Sequence, residues 1–240
     1  MKKLSVALIG YGKMGKIIES ICVERGHNIH CIIDKADDFI NQSHLFSTAD
    51  VAIDFSLPEA VTANIHNCFN MHIPVVVGTT GWHNQLPEIT TLCFKKNGSL
   101  FYASNYSLGM NIVFRLNQQL AKMLKGTNYK ISIKESHHIQ KLDAPSGTAI
   151  TLANDVIKNH EGFKKWEIGP DSKEGILPIE VQRIGEVNGV HEINAVSEED
   201  TISLRHEAFS RKGFALGAVL AAEFLYDKKG VFSMDDLLKV

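Results

Sequence analysis

The chain has 240 residues, of which 44% are apolar, and a net charge of −2. This length is enough to bury the core of one or two domains, and the charge excludes the strongly basic surface that binds nucleic acid or an anionic membrane. The apolar runs are too short to span a bilayer. Two lysines and an apolar run open the chain, but glycines interrupt that run and no small-residue cleavage site follows, so a first β-strand is favoured over a signal peptide.

The four cysteines show no metal or redox spacing. Cys22, Cys31, Cys68 and Cys93 form no C-x-x-C pair, and each lies in an apolar pattern. Such residues are typical of buried free thiols in a reducing compartment. Composition therefore predicts a globular protein of the cytoplasm, with no membrane or nucleic-acid partner.

The first hundred residues alternate between compact apolar runs and helical patterns. The predicted strands cover 4–10, 30–34, 51–56, 74–78 and 100–104, and the intervening helices follow Gly15, Pro58 and residue 83. Continuous apolar strands separated by helices are typical of a parallel sheet that is covered on both faces. This part of the chain predicts an α/β fold with a Rossmann-type doubly wound parallel sheet.

The pattern changes after residue 104. A helix at 110–124, a half-exposed strand at 129–136 and a helix at 147–159 precede three further strands at 177–184, 189–196 and 200–208. We expect a second α/β domain with a mixed, largely antiparallel sheet, one face of which can pack on another subunit. A Gly/Ala-rich helix and a short helix capped by Ser233 end the chain. The predicted domains are a dinucleotide-binding domain at 1–104, with 212–240 packing back on it, and a substrate-binding and oligomerisation domain at 105–211.

A glycine loop follows the first strand directly. Gly10, Gly12 and Gly15 form G-x-G-x-x-G before a periodic helix, and the next strand ends at Asp34. The first glycine permits a tight turn, the second lets a pyrophosphate approach, and the third allows close packing of helix and strand. The helix N-terminus attracts an anion, and an acid at the second strand end can bind a ribose diol. The arrangement predicts a nicotinamide cofactor, with NADH bound well and NADPH accepted through Lys35.

Two more loops lie at the carboxyl ends of predicted strands. They are GTTG at 78–81 and ASNYSLG at 103–109. An open α/β sheet binds its ligand at this edge, and small residues with hydroxyl groups suit contact with ribose and nicotinamide. Ordinary turn formation explains the same composition, so these residues alone leave both interpretations open.

Residues 135–149, ESHHIQKLDAPSGTA, concentrate polar and titratable side chains before a helix. His137 and His138 are adjacent, so they would face opposite sides of a strand and do not form a chelating pair. There is no H-E-x-x-H pattern and no cysteine nearby, which argues against a metal site. A solvated loop is the plain alternative to a catalytic loop.

The order of residues in this stretch favours catalysis over a solvated loop. Pro145 delays the helix and Ser146 is a candidate N-cap, so Gly147 and Thr148 fall in the first turn, whose N–H groups can hold a carboxylate. The histidines and lysine upstream can supply protons or positive charge. The constellation suits a nicotinamide-dependent reductase of a carboxylated, unsaturated acid or imine.

The same stretch closely resembles the signature E-x-H-H-x-x-K-x-D-A-P-S-G-T-A of the dihydrodipicolinate reductase family. Further segments resemble the family in the family's order and span nearly the whole chain: VALIGYGKMG, VAIDFSLPEA, VVVGTTGW, ASNYSLGMN, RIGEVNGVHE and GVFSMDDLL. The long contiguous signature is far more specific than the glycine loop. The resemblance implies NAD(P)H-dependent reduction of 4-hydroxy-tetrahydrodipicolinate, through dihydrodipicolinate, to tetrahydrodipicolinate in lysine and diaminopimelate biosynthesis.

Carried over by position, the resemblance implies a role for individual residues. Hydride would reach ring C4 and a proton C3, with His137 as proton donor or acceptor and Lys141 as proton donor. His138, Gly147 and Thr148 would bind the carboxylates of a small dicarboxylate substrate. The family is typically a homotetramer. The implied cofactor-binding residues are Gly10, Tyr11, Gly12, Lys13, Met14, Gly15, Asp34, Gly78, Thr79, Thr80, Ala103, Ser104, Asn105 and Tyr106.

Two departures from the family pattern bear on the coenzyme. The glycine loop is one residue shorter than in many members, and Asp34-Lys35 replaces an acid followed by arginine. Another Rossmann-fold amino-acid or imine dehydrogenase and a non-catalytic nucleotide-sensing relative are the alternative functions; a sensor has no need of the H-H-x-x-K pattern. From the residues alone, Lys141 acts either as the acid or as a counter-ion, and Asp143 is expected to steady the turn before Pro145.

Overall fold

A computed structural model describes residues 2–171 and 173–239. The chain divides into two compact units, one comprising the residues up to Leu108 together with those from Arg211 onward, and the other Gly109–Ser210. Among the described residues, no helix combines the length and the apolar character needed to cross a membrane.

The elements of the first half run from β1 to β5. Their bounds are β1 (Ser5–Ile9), α1 (Lys13–Glu24), β2 (Asn28–Ile33), α2 (Asp38–Asn41), α3 (Ser43–Phe46), β3 (Val51–Asp54), α4 (Val61–Asn70), β4 (Val75–Val77), α5 (Leu86–Lys95) and β5 (Ser99–Tyr102). A 3₁₀ turn over His83–Gln85 leads into α5.

The elements of the second half complete both units. They are α6 (Leu108–Met123), β6 (Lys130–His137), α7 (Gly147–Asn159), β7 (Phe163–Ile168), β8 (Gly175–Arg183), β9 (Val190–Val196), β10 (Thr201–Glu207), α8 (Lys212–Leu225), β11 (Gly230–Phe232) and α9 (Met234–Leu238).

The first unit is a parallel sheet with helices on both faces. Its six strands have the order β11-β5-β4-β3-β1-β2, and all five pairs are parallel. Successive strand residues point to opposite faces, so Val6 and Leu8 join the core under α1 and α8, whereas Ala7 and Ile9 join the core under α4 and α5. The expected Rossmann-type doubly wound fold is confirmed.

The second unit is a mixed sheet with the order β10-β9-β6-β8-β7. Strands β9 and β10 pair antiparallel, as do β6 and β9, but β8 runs parallel to both β6 and β7. The mixed sheet was expected, but its parallel share is larger than the sequence indicated. One parallel pair involves β7, which the sequence did not predict, and the other joins β6 to β8, which α7 and β7 separate in the chain. Helices α6 and α7 cover one face and form the core with Ile133, Ile179 and Ile193.

Other local features follow from ordinary sequence signals. Ser233 caps α9 in a capping box, in which its hydroxyl oxygen accepts from the N–H of Asp235 and the carboxylate of Asp236 accepts from the N–H of Ser233. The four cysteines are buried and free, as expected. The short strand β11 extends the first sheet beyond β5 and had no sequence prediction.

Candidate active site

The glycine loop has the geometry that a dinucleotide requires. Gly10 has a φ of +83°, and a Cβ there would lie 2.5 Å from the carbonyl oxygen of Phe55. A Cβ on Gly15 would lie 2.4 Å from the carbonyl oxygen of Gly10, so this residue allows α1 to pack against the turn. A Cβ on Gly12 would meet no described atom within 4 Å, so the N-terminus of α1 faces open space. That end of the helix can receive a phosphate.

Asp34 lies beside this loop at the end of β2. Its Oδ1 accepts a hydrogen bond of 2.8 Å from the N–H of Tyr11. Asp38 in turn accepts from the N–H groups of Asp34 and Lys35 at 2.9 and 2.8 Å, and these bonds lower the pKa of Asp38. A cavity of about 550 Å³ opens here, and its lining includes Gly10, Tyr11, Gly12, Asp34, Lys35 and Phe39.

A second cavity, of about 470 Å³, joins the glycine loop to the loop after β4. Its lining brings together the predicted residues Gly12, Lys13, Met14, Gly78, Thr79 and Thr80. A Cβ at Gly78 would lie 2.1 Å from the ring of Phe55, which lines both cavities. Glycine at position 78 is therefore required by the aromatic ring that borders the site.

A buried carboxylate organises these loops and was missed from the sequence. Asp54 is fully buried and accepts from the N–H and hydroxyl of Ser56 at 2.9 and 2.7 Å, from Asn64 at 2.8 Å, and from the hydroxyl of Thr79 at 2.9 Å. Burial raises the pKa of Asp54, and the hydrogen bonds from Ser56, Asn64 and Thr79 oppose that rise. Its position at a strand end was the available signal, but the apolar run VAIDFS concealed it.

The segment after β5 lies at the same edge of the sheet as the loop after β4, because β4 and β5 are parallel neighbours. The N–H of Ala103 donates to the carbonyl of Val77 at 3.4 Å, and Asn105 Oδ1 accepts from the N–H of Ser107. Tyr106 is different, because its ring is buried in the core and its hydroxyl donates to the carbonyl of Val77 at 2.8 Å. Its ring therefore packs inside the unit, away from the two cavities.

Glu135 is the centre of the polar cluster in the second unit. Strand β6 turns it inward, and its side chain is fully buried. Both of its oxygens accept from the N–H of Ser146 at 3.1 Å, and Oε1 also accepts from Arg183 Nη2 at 3.1 Å. Burial alone would raise the pKa of Glu135, but hydrogen bonds from His191 and Ser146 outweigh it and bring the pKa to about 2. The group is a carboxylate at any physiological pH.

His137 follows on the same inward face. Its Nδ1 lies 3.7 Å from Glu135 Oε2, and within the described residues this nitrogen is buried without a hydrogen-bond partner. Burial lowers the pKa of His137 to about 4, and the charges of Lys141 and Arg183 act in the same direction. A Cβ on Gly189 would lie 3.1 Å from His137 Nε2, so that glycine makes room for the ring. His137 is neutral at pH 7.

The rest of the signature forms a loop between β6 and α7. His138 is half-buried, and its Nδ1 has no hydrogen-bond partner among the residues that the structure describes. Lys141 Nζ donates to both carboxylate oxygens of Asp143, at 2.8 and 2.9 Å. That hydrogen bond lowers the pKa of Asp143. The ammonium group of Lys141 is therefore already neutralised by a carboxylate of the same loop.

Helix α7 begins where the sequence predicted. Ser146 is its N-cap, and the hydroxyl oxygen accepts from the N–H of Ala149 at 3.2 Å. Gly147 is exposed and Thr148 half-buried, and both lie in the first turn, where main-chain N–H groups have no carbonyl partner within the helix. Structure and sequence agree on where α7 begins, and its N-cap contacts Glu135.

One set of side chains has the spacing of a metal site. Ligand atoms of Glu135, His137 and His191 all lie within 4.8 Å of one another, and the three residues are buried. However, Arg183 already neutralises the carboxylate, and His191 Nε2 lies 3.1 Å from the hydroxyl of Ser146. A divalent cation would have to displace both contacts. The three side chains are therefore better suited to a network of hydrogen bonds and ion pairs than to binding a metal.

Sequence reasoning missed three members of this cluster: Glu135, Arg183 and His191. Glu135 was quoted as the first letter of the signature but received no role. Arg183 and His191 lie in RIGEVNGVHE, and they reach Glu135 because β8 and β9 flank β6 in the sheet. The available sequence signal was that titratable side chains occupy inward-facing positions of β8 and β9, at Arg183 and His191.

Comparisons with known proteins agree over the whole chain. A family model described as the N-terminus of dihydrodipicolinate reductase matches residues 4–106, and one described as its C-terminus matches residues 109–238. The curated 4-hydroxy-tetrahydrodipicolinate reductase of Christiangramia forsetii is 46% identical over 236 residues, which are 98% of each chain. The protein of the same name from Clostridium novyi is 37% identical and covers 95% of each chain.

Solved structures share the fold. A dipicolinate-bound dihydrodipicolinate reductase from a Paenisporosarcina species gives a TM-score of 0.79 over 97% of this chain and 98% of that chain, at 22% identity. An amine dehydrogenase from Mycobacterium smegmatis gives 0.61 over 96% and 94%, at 10% identity. At such low identities these likenesses show the fold alone.

Proposed function

The chain belongs to the dihydrodipicolinate reductase family and is an NAD(P)H-dependent oxidoreductase that reduces 4-hydroxy-tetrahydrodipicolinate, and from this premise we propose how its residues perform the reaction. The observation that carries the proposal is the grouping of His137 and the start of α7 around the buried Glu135, with Lys141 in the loop that joins β6 to α7. The unit that contains the glycine loop is the dinucleotide-binding domain, and residues 109–210 form the substrate-binding and oligomerisation domain.

The coenzyme is held by the loops that line the two cavities of the first unit. When bound, the nicotinamide supplies the hydride. Gly12 and the N-terminus of α1 receive the pyrophosphate, which agrees with the open space beside Gly12. Thr79 and Thr80 offer hydroxyl groups at the next strand end, and Asp54 holds the hydroxyl of Thr79 in place. Ala103, Ser104, Asn105 and the main chain of Tyr106 complete this edge of the sheet.

NADH is the preferred coenzyme in this proposal, with NADPH also accepted. Asp34 lies at the strand end that meets the adenosine ribose, and a carboxylate there accepts from a 2′-hydroxyl but repels a 2′-phosphate. Asp37 and Asp38 follow closely, so Lys35 is the one cation among three acids over residues 34–38. The local charge therefore favours the coenzyme without the additional phosphate.

The substrate carboxylates are bound by the loop and the start of α7. The N–H groups of Gly147 and Thr148 and the imidazole of His138 are donors of the kind that a carboxylate accepts. Ser146 supports this arrangement, because its hydroxyl caps α7 and its N–H is held by Glu135. The proton reaches the substrate at C3 from Lys141 Nζ.

His137 has a role other than proton donor in the resting enzyme. Its pKa of about 4 makes it a neutral ring, which can accept or share a hydrogen bond but carries no surplus proton near pH 7. Lys141 is therefore the acid, and neutral His137 stabilises charge that develops on the substrate. Of the two roles that the residue pattern left open for Lys141, acid or counter-ion, we propose the acid.

The assembly proposed for the chain is the family's homotetramer, formed through the second sheet. The face of that sheet that turns away from α6 and α7 carries paired polar groups, among them Lys134 with Glu180 at 3.5 Å and Arg205 with Glu192 at 2.9 Å. Such a flat surface with both signs of charge can match a second copy of itself.

Two measurements test these assignments. Dipicolinate, a planar dicarboxylate, is titrated calorimetrically into the protein and into His138→Ala. The expected result is weaker binding to the variant with unchanged NADH affinity; equal binding of dipicolinate would contradict the carboxylate assignment. Oxidation of NADH in a mixture with the preceding synthase, pyruvate and aspartate-semialdehyde tests the reaction itself.

A further inference from the structure

We propose that Arg183 is a positioning residue for the proton-transfer step, because it holds the main chain of the segment that carries Lys141. Arg183 is the last residue of β8, and its side chain is mostly buried. Its contacts run to the loop and to Glu135, and none of the roles assigned above includes it.

The guanidinium group bonds to two main-chain carbonyls of the loop. Nε donates to the carbonyl of Lys141 at 3.3 Å, and Nη2 donates to the carbonyl of Asp143 at 2.6 Å. Nη2 also donates to Glu135 Oε1 at 3.1 Å, while Nη1 donates to the carbonyl of Gln182 at 2.9 Å. One rigid planar group therefore joins the loop to a fully buried carboxylate. A lysine has one nitrogen and cannot reproduce this fork.

Among the described residues, only two other main-chain hydrogen bonds hold residues 139–143. Leu142 is 97% exposed and Ile139 is 69% exposed, so apolar burial does not fix the segment. The sheet anchors its beginning, where the N–H of Ile139 donates to the carbonyl of Gly185 at 3.2 Å. Beyond that point the N–H of Lys141 donates to the carbonyl of His138 at 3.1 Å, which closes a local turn, and within the described chain Arg183 alone bonds the carbonyls on both sides of Leu142 to the sheet. The side chains of Lys141 and Asp143 bond to each other, so this pair does not tie the loop to the sheet.

Glu135 couples the clamp to the substrate end of the site. The same carboxylate that receives Arg183 also receives the N–H of Ser146, the N-cap of α7. Glu135 of β6 is therefore bonded to two segments. Through Arg183 it holds the loop that carries the proposed proton donor, and through Ser146 it holds the helix start that is proposed to bind a carboxylate. A shift of about 1 Å between such groups can lower the rate about a hundredfold.

Arg183→Lys is the test, with Arg25→Lys as the matched control. Arg25 has a similar exposure, 24% against 20%, and it also forms a charged pair with a glutamate, donating to Glu223 at 2.7 and 2.8 Å. We expect kcat of Arg183→Lys to fall about tenfold to a hundredfold, with an unchanged dissociation constant for NADH. The control should keep the kcat of the parent. A kcat within twofold of the parent for Arg183→Lys, or an equal loss in both variants, would overturn the proposal.

Hydrogen–deuterium exchange of the same proteins gives a readout that needs no turnover. Residues 138–144 should exchange faster in Arg183→Lys than in the parent, with α6 and the first unit unchanged. Exchange that is unaltered in this segment, or raised throughout the chain, would show that Arg183 is no clamp for the loop. The inference rests on the proposed role of Lys141, but the two fail separately: a fully active Lys141→Ala contradicts that role, and unaltered exchange contradicts the clamp.

Discussion

Lys141 Nζ lies 2.8 and 2.9 Å from the two carboxylate oxygens of Asp143, two residues further along the same loop. This ion pair links the Asp143 carboxylate to the side chain that is proposed to donate the proton. Asp143 was expected to steady the turn before Pro145; its carboxylate also neutralises the cation that is proposed to give up a proton, while its main-chain carbonyl accepts from Arg183.

Lys141→Ala should reduce turnover strongly. Removing a positioned acid costs about a hundredfold or more in rate, and the dissociation constant of NADH should stay that of the parent because the coenzyme loops are untouched. The KM of the substrate should rise as well, since a positive charge is lost. Steady-state kinetics and NADH fluorescence titration measure these quantities.

Lys158→Ala is the control for that variant. It removes the same charge from the last turn of α7, where the side chain is exposed. We expect parental kinetics for Lys158→Ala. If both lysine variants retained the parental kcat, Lys141 would not be the proton donor.

Asp34→Ser should shift coenzyme preference toward NADPH. The change removes the carboxylate that would repel a 2′-phosphate, so the ratio of kcat/KM for NADPH to that for NADH should rise by about tenfold or more. Asp37→Ser removes the same charge three residues later and should shift the ratio less. Equal shifts in the two variants would mean that general charge, and not contact with the ribose, sets the preference.

His137→Gln should reduce the acid sensitivity of folding. The pKa of His137 is lowered from 6.5 to about 4, so the unfolded chain binds a proton that the folded chain refuses. Stability from this residue is complete above pH 6.5 and falls as the pH drops toward 4. Between about pH 7 and about pH 4.5 the parent should lose about 2 kcal/mol more unfolding free energy than the variant.

Urea unfolding at one protein concentration measures that difference. Glu135, whose pKa is about 2, contributes in the lower window between pH 4.5 and 2, so its effect is largely separate. Equal losses in parent and variant over the upper window would contradict a neutral, buried His137. His137→Ala should also lower turnover strongly, because the neutral ring is proposed to stabilise charge that develops on the substrate.

Ser132→Arg should break the proposed homotetramer. Ser132 lies on β6 opposite Asn194 of β9, on the face of the second sheet that α6 and α7 leave uncovered. A bulky cation there would prevent flat packing of two copies. Sedimentation should give four copies of the 26.6 kDa chain for the parent and fewer for the variant. Asn154→Arg, on the exposed side of α7, should sediment as the parent does, and a parental mass for Ser132→Arg would place the interface elsewhere.

Local patterns predicted much of the first unit. The apolar runs and the glycine spacing located β1, α1 and β2, and the structure places Gly10, Gly12, Gly15 and Asp34 around one turn. These signals act within about thirty residues and depend on backbone sterics and strand burial. The family resemblance, read mainly from residues 135–149, is likewise confirmed by the family models.

These local patterns did not predict which strands distant in the sequence become neighbours in the sheet. Arg183 and His191 reach Glu135 from 48 and 56 residues away, because β8 and β9 both flank β6. No local periodicity specifies which strands become neighbours. Strand β7 was missed because its alternation is interrupted: three of its six residues are exposed and none is fully buried. The pKa of His137 likewise depends on burial that only the assembled sheet produces.

The most direct test of the account is the coupled assay, run with NADH and NADPH in parallel. The preceding synthase generates the substrate from pyruvate and aspartate-semialdehyde, and coenzyme oxidation is followed by its absorbance. We expect oxidation that requires both the synthase and this protein, is faster with NADH at equal coenzyme concentration, and is strongly reduced in Lys141→Ala. Binding of coenzyme without oxidation in that mixture, or oxidation only with an unrelated amino acid, would contradict it.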